Sequence, residues 1–188
     1  MKKTQKFFWL GIFAALVLAV PSCISPDKPV AQYITDLDSS DDTTVYTALE
    51  QIRKVYPTSL AAQAKVKTLL ADKRINVRRQ AVRTIAAVHA EVNETDLNNI
   101  AAFLDDKNPQ IIIDGLKALR ELKAQSMIPR IIPLLQNPNH SVMRDAIRTL
   151  SALGDEKLIP TLQPFLTFPD KNVRQDAAYA IELLKTKP

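Results

Sequence analysis

A pattern that returns five times constrains this chain more than any bulk property. Taking Val77 as position zero, equivalent positions fall at Thr44, Val77, Ile111, Val142 and Val173, spaced 33, 34, 31 and 31 residues apart. Four residues further on, every side chain is small: Ala48, Ala81, Gly115, Ala146 and Ala177. Eight on stand Ile52, Ile85, Leu119, Leu150 and Ile181, and eleven on stand Val55, Val88, Leu122, Leu153 and Leu184. At about 100° per residue these offsets share one face of a helix. Seven positions before zero there is a leucine each time: Leu37, Leu70, Leu104, Leu135 and Leu166. Eleven before it stand Tyr33, Val66, Ile100, Ile131 and Leu162, which completes a second amphipathic helix ahead of the first.

Each unit is thus a pair of helices, A then B, and a pair of this size cannot bury its apolar face alone. Stacked neighbours bury it instead, which gives a solenoid. The A and B helices are separated by turn formers: Asp72 to Asn76, Asp105 to Pro109, Asn137 to His140 and Pro169 to Asn172. Asn and Asp suit these places because their side chains bond the local backbone. With only three Gly in 188 residues, the composition also favours helices over a turn-rich sheet protein. A closed antiparallel bundle needs no fixed period and is disfavoured. The expectation is all-α: a right-handed α-solenoid of about five antiparallel helix pairs over residues 30–187. The repeats span approximately 30–57, 58–91, 92–125, 126–154 and 155–187.

The residues Leu69-Leu70-Ala71-Asp72 with Val77-Arg78-Arg79-Gln80-Ala81-Val82 resemble the HEAT-repeat family, including its phycobilisome-lyase type. So do Leu134-Leu135-Gln136-Asn137 with Val142-Met143-Arg144-Asp145-Ala146, and Phe165-Leu166 with Asn172-Val173-Arg174. The resemblance implies a HEAT/armadillo-like fold and pairs an Asp late in helix A with an Arg early in helix B. Asp72 and Arg78 fit both roles. Repeat 4 has Asn137 and a shifted Arg144. Repeat 5 carries Phe168 in place of the Asp, so the ladder is expected to break there.

The first 29 residues read as an address rather than a fold. Lys2, Lys3 and Lys6 precede Phe7 to Val20, fourteen uncharged and mostly apolar residues. That run is short for a membrane span, which needs about 20 residues, and fits a signal peptide over 1–22. Leu18-Ala19-Val20-Pro21-Ser22-Cys23 resembles the lipobox of bacterial lipoproteins. The resemblance implies cleavage before Cys23, a diacylglycerol (with palmitate-like chains) on its sulfur, and a tether over 23–29. Export is then expected, with Ile24 after the cysteine favouring the outer membrane over the inner. One cysteine excludes an internal disulfide. Removing the three leader lysines from 25 basic residues leaves 22 against 20 acidic ones, too balanced to imply a nucleic-acid partner.

Catalytic signals are absent from the sequence. There is no phosphate loop and no nucleophile elbow. His89 and His140 are the only histidines, and neither precedes Glu as the iron-binding pairs of deoxyhypusine hydroxylase, a HEAT-repeat enzyme, would require. The expectation is no metal, no cofactor and no enzyme activity.

What stands out instead is a cationic stripe. Offsets 2, 6 and 9 point away from the core of helix B. In repeats 2 to 4 they carry Arg79, Arg83, Lys117, Arg120, Arg144 and Arg148 with no acid among them. Beside them run Asp114, Asp145 and Asp176, from which Asp114–Lys117 and Asp145–Arg148 pairs within one helix are expected. These six cations are the candidate protein-binding residues, for an acidic segment of an unknown partner. The function expected is a lipid-anchored, non-catalytic scaffold of the cell envelope. The alternatives are a structural accessory subunit of an envelope complex, or a HEAT-repeat enzyme.

Overall fold

The computed structural model describes residues 28–187, so the signal segment 1–22, Cys23 and most of the tether lie outside the described residues. Within them the chain is wholly helical, arranged as five antiparallel pairs: α1 (Val30–Asp36) with α2 (Asp42–Val55); α3 (Leu60–Thr68) with α4 (Ile75–Ala87); α5 (Glu94–Ala101) with α6 (Pro109–Glu121); α7 (Ile128–Ile131) with α8 (His140–Leu153); and α9 (Ile159–Leu162) with α10 (Lys171–Lys185). None of these helices is long and apolar enough to cross a membrane. Position zero falls at the third residue of every B helix, so the period read from the sequence is a true structural register.

The A helices are less regular than their periodicity suggests. Each of α3, α5, α7 and α9 runs on into a short 3₁₀ segment. In the last two repeats a 3₁₀ turn also precedes the α segment. Pro129, Pro133, Pro160 and Pro164 shorten the α segments of these last two repeats, whereas α3 and α5 pass into 3₁₀ turns without a proline. Proline removes a backbone donor and clashes with the preceding turn, so an α-helix cannot continue through it.

The core is one continuous stack. Every small residue at offset 4 and every offset-8 residue is buried, as are the leucines at −7 in the first four repeats. Leu166, the fifth of these, is 41% exposed. The position is covered in the other repeats by the pair that follows, and among the described residues none follows the fifth. At Gly115 the approach is close enough that an added Cβ would lie 2.8 Å from the Phe103 Cβ.

The turns between A and B share one device. Ser39, Asp72, Asp106 and Asn137 each accept the backbone N–H two residues on, at 3.1, 2.8, 2.7 and 2.9 Å. The family-like Asp72 therefore shapes its turn and does not meet Arg78 through its carboxylate. Arg78 instead donates from Nη1 to the Asp72 carbonyl at 2.6 Å. Arg174 does the same to the carbonyls of Phe168, at 2.7 Å, and Pro169, at 2.8 Å. The expected break at Phe168 does not occur, because a carbonyl is present whatever the side chain. Phe168 loses only the turn bond and packs edge-on against His140, with ring centroids 5.3 Å apart.

His89 and Lys123 close α4 and α6 with φ of 47° and 54°. The next residues donate back into the helix, Ala90 to Ile85 and Ala124 to Leu119, which satisfies otherwise orphaned carbonyls. His89 is thus a solvent-exposed cap residue.

Candidate binding groove

Successive B helices α2, α4, α6, α8 and α10 pack against one another along the whole stack, whereas the A layer is more loosely joined. The B helices therefore form the tighter, inner wall. Two open depressions run along it. The first, about 550 Å³, is lined by Tyr46, Glu50, Gln51, Asn76, Arg79, Gln80 and Arg83 among others. The second, about 450 Å³, shares Glu50, Gln80 and Arg83 and continues to Gln110, Lys117 and Glu121. Together they make a groove across repeats 1 to 3. Burial and the nearby Asp42 raise the Tyr46 phenol above its ordinary range, so it enters the groove as a neutral hydrogen-bonding group.

The candidate cations do line this wall, but the stripe is interrupted. Ile113, Ala86 and Ser151 occupy stripe positions and are 8%, 1% and 3% exposed. The wall is close-packed there because small and aliphatic side chains let adjacent B helices touch.

The cations also pair differently from the expectation within one helix. Asp114 pairs with Arg79 and Arg83 of the preceding repeat and not with Lys117. Arg79 reaches one Asp114 oxygen through Nε at 2.8 Å and Nη2 at 2.7 Å, and Arg83 Nη2 reaches the carboxylate at 3.0 Å. Arg144 and Arg148 embrace Asp176 of the following repeat in the same way, at 2.6 and 3.0 Å. Arg120 faces Asp145 at 3.9 Å. The reason is register: offsets 2 and 6 of one B helix flank offset 3 of the next. Sequence spacing within a helix cannot show this.

Burial alone would raise the carboxyl pKa of Asp114, but hydrogen bonds from Arg79 and Arg83 outweigh it and leave the group below its ordinary range. Lys117 makes no ion pair among the described residues and is exposed. Five arginines thus meet three carboxylates and Lys117 stands apart; in the groove itself Arg53, Arg79, Arg83 and Lys117 face Glu50, Asp114 and Glu121, an excess of about one positive charge.

The amides Gln51, Asn76 and Gln80 also face the groove. The sequence marks them only as polar side chains on the exposed flank of B helices; no motif singles them out. Among the described residues, no cluster of three His, Cys, Asp or Glu is arranged to hold a metal ion. Cys23 lies outside the described residues.

Residues 97–182 match the family model for HEAT repeats. No curated protein matches in sequence. Among solved structures, the chain is similar to one in the complex of CpcE and CpcF of phycocyanin lyase from Nostoc sp. PCC7120. The identity is 24% and the TM-score 0.71, over 92% of this chain and 71% of that one. Computationally designed armadillo repeat proteins for modular peptide recognition are similar at 19% identity and a TM-score of 0.62, over 82% of each chain. An engineered protein matches at 18% identity and a TM-score of 0.61, over 85% of this chain and 80% of that one. At these identities the likenesses carry the fold alone: the chain is an all-α solenoid resembling HEAT and armadillo repeat structures, with HEAT-like repeats.

Proposed function

We propose that this chain is a non-catalytic protein-binding scaffold of the bacterial cell envelope, held at a membrane by lipid on Cys23. The observation that carries the binding role is the continuous groove on the inner wall, where the positive excess meets unpaired amides. Two arginines share each of Asp114 and Asp176, so each cluster keeps about one unit of positive charge. Lys117 adds another from the middle of the wall. An extended acidic segment of a partner satisfies both features, since carboxylates answer the cations and backbone groups bond the amides. The groove is open and lacks the enclosed, convergent groups of a reaction site.

The membrane role rests on the lipobox-like residues around Cys23, and Ile24 favours the outer membrane. A lipid anchor concentrates a weak-binding groove at one surface, which suits a scaffold more than a freely diffusing enzyme. The likeness to a phycocyanin lyase complex does not transfer that activity.

The test is photocrosslinking in intact cells from a reactive residue at Gln80, which lines both depressions. A captured protein whose yield falls in Lys117→Glu supports groove binding. Capture only from the outer A-helix wall, with Gln80 silent, defeats it and favours a structural accessory subunit.

A further inference from the structure

The chain enters its fold at a definite place. Tyr56, just past the end of α2, donates its phenol hydroxyl to the Lys28 carbonyl at 3.0 Å. That contact holds the start of α1 on the edge of the solenoid where B helices end and the next A helices begin. The same edge carries the largest exposed apolar side chain near the entry point. Leu60, the first residue of α3, is 79% exposed. Ala61 and Ala64 on the same helix are exposed as well, so α3 shows apolar surface outward at its start. Arg53 and Lys54 close α2 on this edge and share Glu50, at 2.8 Å each, so the pair keeps about one positive charge, while Lys28 turns along α1 to Asp36 at 3.0 Å. The opposite edge of the same repeat carries Asp38, Asp41 and Asp42. The entry edge therefore carries the exposed apolar surface and a small positive excess, while at the opposite edge Asp38 and Asp42 pair with Lys65 and Arg74 of repeat 2.

Single exposed leucines are ordinary. This one is placed where few other surfaces can lie. From Cys23 to Lys28 are five residue steps, which span at most about 18 Å when fully extended. If Cys23 carries lipid, the Tyr56–Leu60 edge cannot leave the headgroup region by more than that length.

We infer that this edge is a membrane-contact face: Leu60 and its neighbouring alanines enter the interface of an anionic bilayer, with Arg53 and Lys54 among its headgroups. The inference rests on the lipid-anchor reading above and adds an orientation to it. Repeat 1 stands upright on the membrane, its helix axes near the bilayer normal. The anionic turn at Asp38–Asp42 points away, and the groove opens sideways, parallel to the surface. Interfacial apolar groups sit about 5–10 Å deep, within reach of an exposed leucine at a helix start. The one positive charge that Glu50 leaves unanswered on Arg53 and Lys54 adds attraction to anionic lipid.

The experiment uses the full-length protein, processed in cells, purified and reconstituted into vesicles of phosphatidylethanolamine and phosphatidylglycerol with brominated acyl chains. Two variants place an indole on opposite edges of repeat 1, Leu60→Trp and Ser40→Trp. Both sites are exposed, so the fold is expected to survive, with far-UV circular dichroism as the check. The expected result is quenching at least about twofold stronger for Leu60→Trp than for Ser40→Trp, as interfacial depth requires. Partition into a detergent phase, compared with Cys23→Ser, reports the anchor separately. Anchored protein with equal quenching at both sites overturns the face while leaving the anchor intact. Protein that stays aqueous like Cys23→Ser overturns the anchor and the face with it. Shielding of Leu60→Trp that follows protein density, without bromine quenching, assigns the patch to a second copy and overturns the membrane face.

Discussion

Replacing Asp114 with Asn isolates the cost of one inter-repeat clasp. The side chain is 5% exposed and accepts from Arg79, Arg83 and Gln110, the last at 3.2 Å. Asn keeps the shape and one acceptor oxygen but removes the charge. A hydrogen bond to a charged group contributes about 1.5–3 kcal/mol net, twice that of a neutral one or more. Arg79, 23% exposed, loses most of that value, because little water can replace the carboxylate. Arg83, 50% exposed, turns to solvent and loses little. The expected loss is roughly 2–3 kcal/mol, below the 3–5 kcal/mol of a fully buried pair. For a domain of this size that lowers Tm by about 5–10 °C. Asp145→Asn is the matched control: same offset, next repeat, but its arginine is 3.9 Å away, and the expected loss is about 0.5 kcal/mol or less.

The charge dependence gives a second, independent reading. The folded-state pKa of Asp114 lies below the ordinary value. Its stabilisation is therefore present above the unfolded pKa and lost as pH falls through the lower folded one. Urea unfolding of wild type and Asp114→Asn should differ by a constant amount near pH 7. The gap should narrow below about pH 4, near the unfolded carboxyl value. The reasoning is refuted if Asp114→Asn and Asp145→Asn match at pH 7, or if the Asp114→Asn gap persists unchanged in strong acid.

Three further outcomes follow from local geometry. Lys123→Gly should raise stability by about 1 kcal/mol in thermal melts, since a non-glycine residue at φ 54° is strained and glycine is not. Gly115→Ala should cost roughly 1–3 kcal/mol despite alanine's helix propensity, because its Cβ would meet the Phe103 Cβ at 2.8 Å and force the helices apart. Thr84→Val should be neutral or stabilising by about 1 kcal/mol, because the buried Thr84 hydroxyl has no hydrogen-bond partner. Thr149→Val, at the equivalent offset, should lose about 1 kcal/mol, since that hydroxyl donates to the Asp145 carbonyl at 2.7 Å. Parallel urea titrations decide the pair, and equal effects at both sites would show that the hydroxyl bonding is irrelevant.

The helical register was legible because it is one-dimensional. Burial at offsets 4 and 8 recurs with a fixed residue count, so Ala81 or Ile85 declares itself without any partner being known. The breakage of the fourth and fifth A helices was also written in Pro129, Pro133, Pro160 and Pro164, although the leucine period masked it. The pairing of the cations was not legible in the same way. Asp114 stands three residues before Lys117 and 35 after Arg79, and only the stacking geometry makes the distant residue the partner. The Arg174 contact was hidden for another reason. Its acceptors are the backbone carbonyls of Phe168 and Pro169, and a side-chain motif is silent about backbone.

The same geometry explains why the middle of the B-helix wall carries an unpaired cation. A clasp needs arginines at offsets 2 and 6 of one B helix and an aspartate at offset 3 of the next. Repeats 2 and 4 supply both arginines. Repeat 3 puts Ile113 at offset 2, buried against its neighbours, and Lys117 at offset 6. Asp145 is then left with Arg120 alone at 3.9 Å, and Lys117 has no acid within ion-pair distance among the described residues. The interface between repeats 3 and 4 is held by apolar packing where its neighbours add a charged clasp. What that substitution removes from cohesion it leaves available for binding: one exposed cation, at the end of the groove, flanked by two arginine clusters whose charge is only half answered.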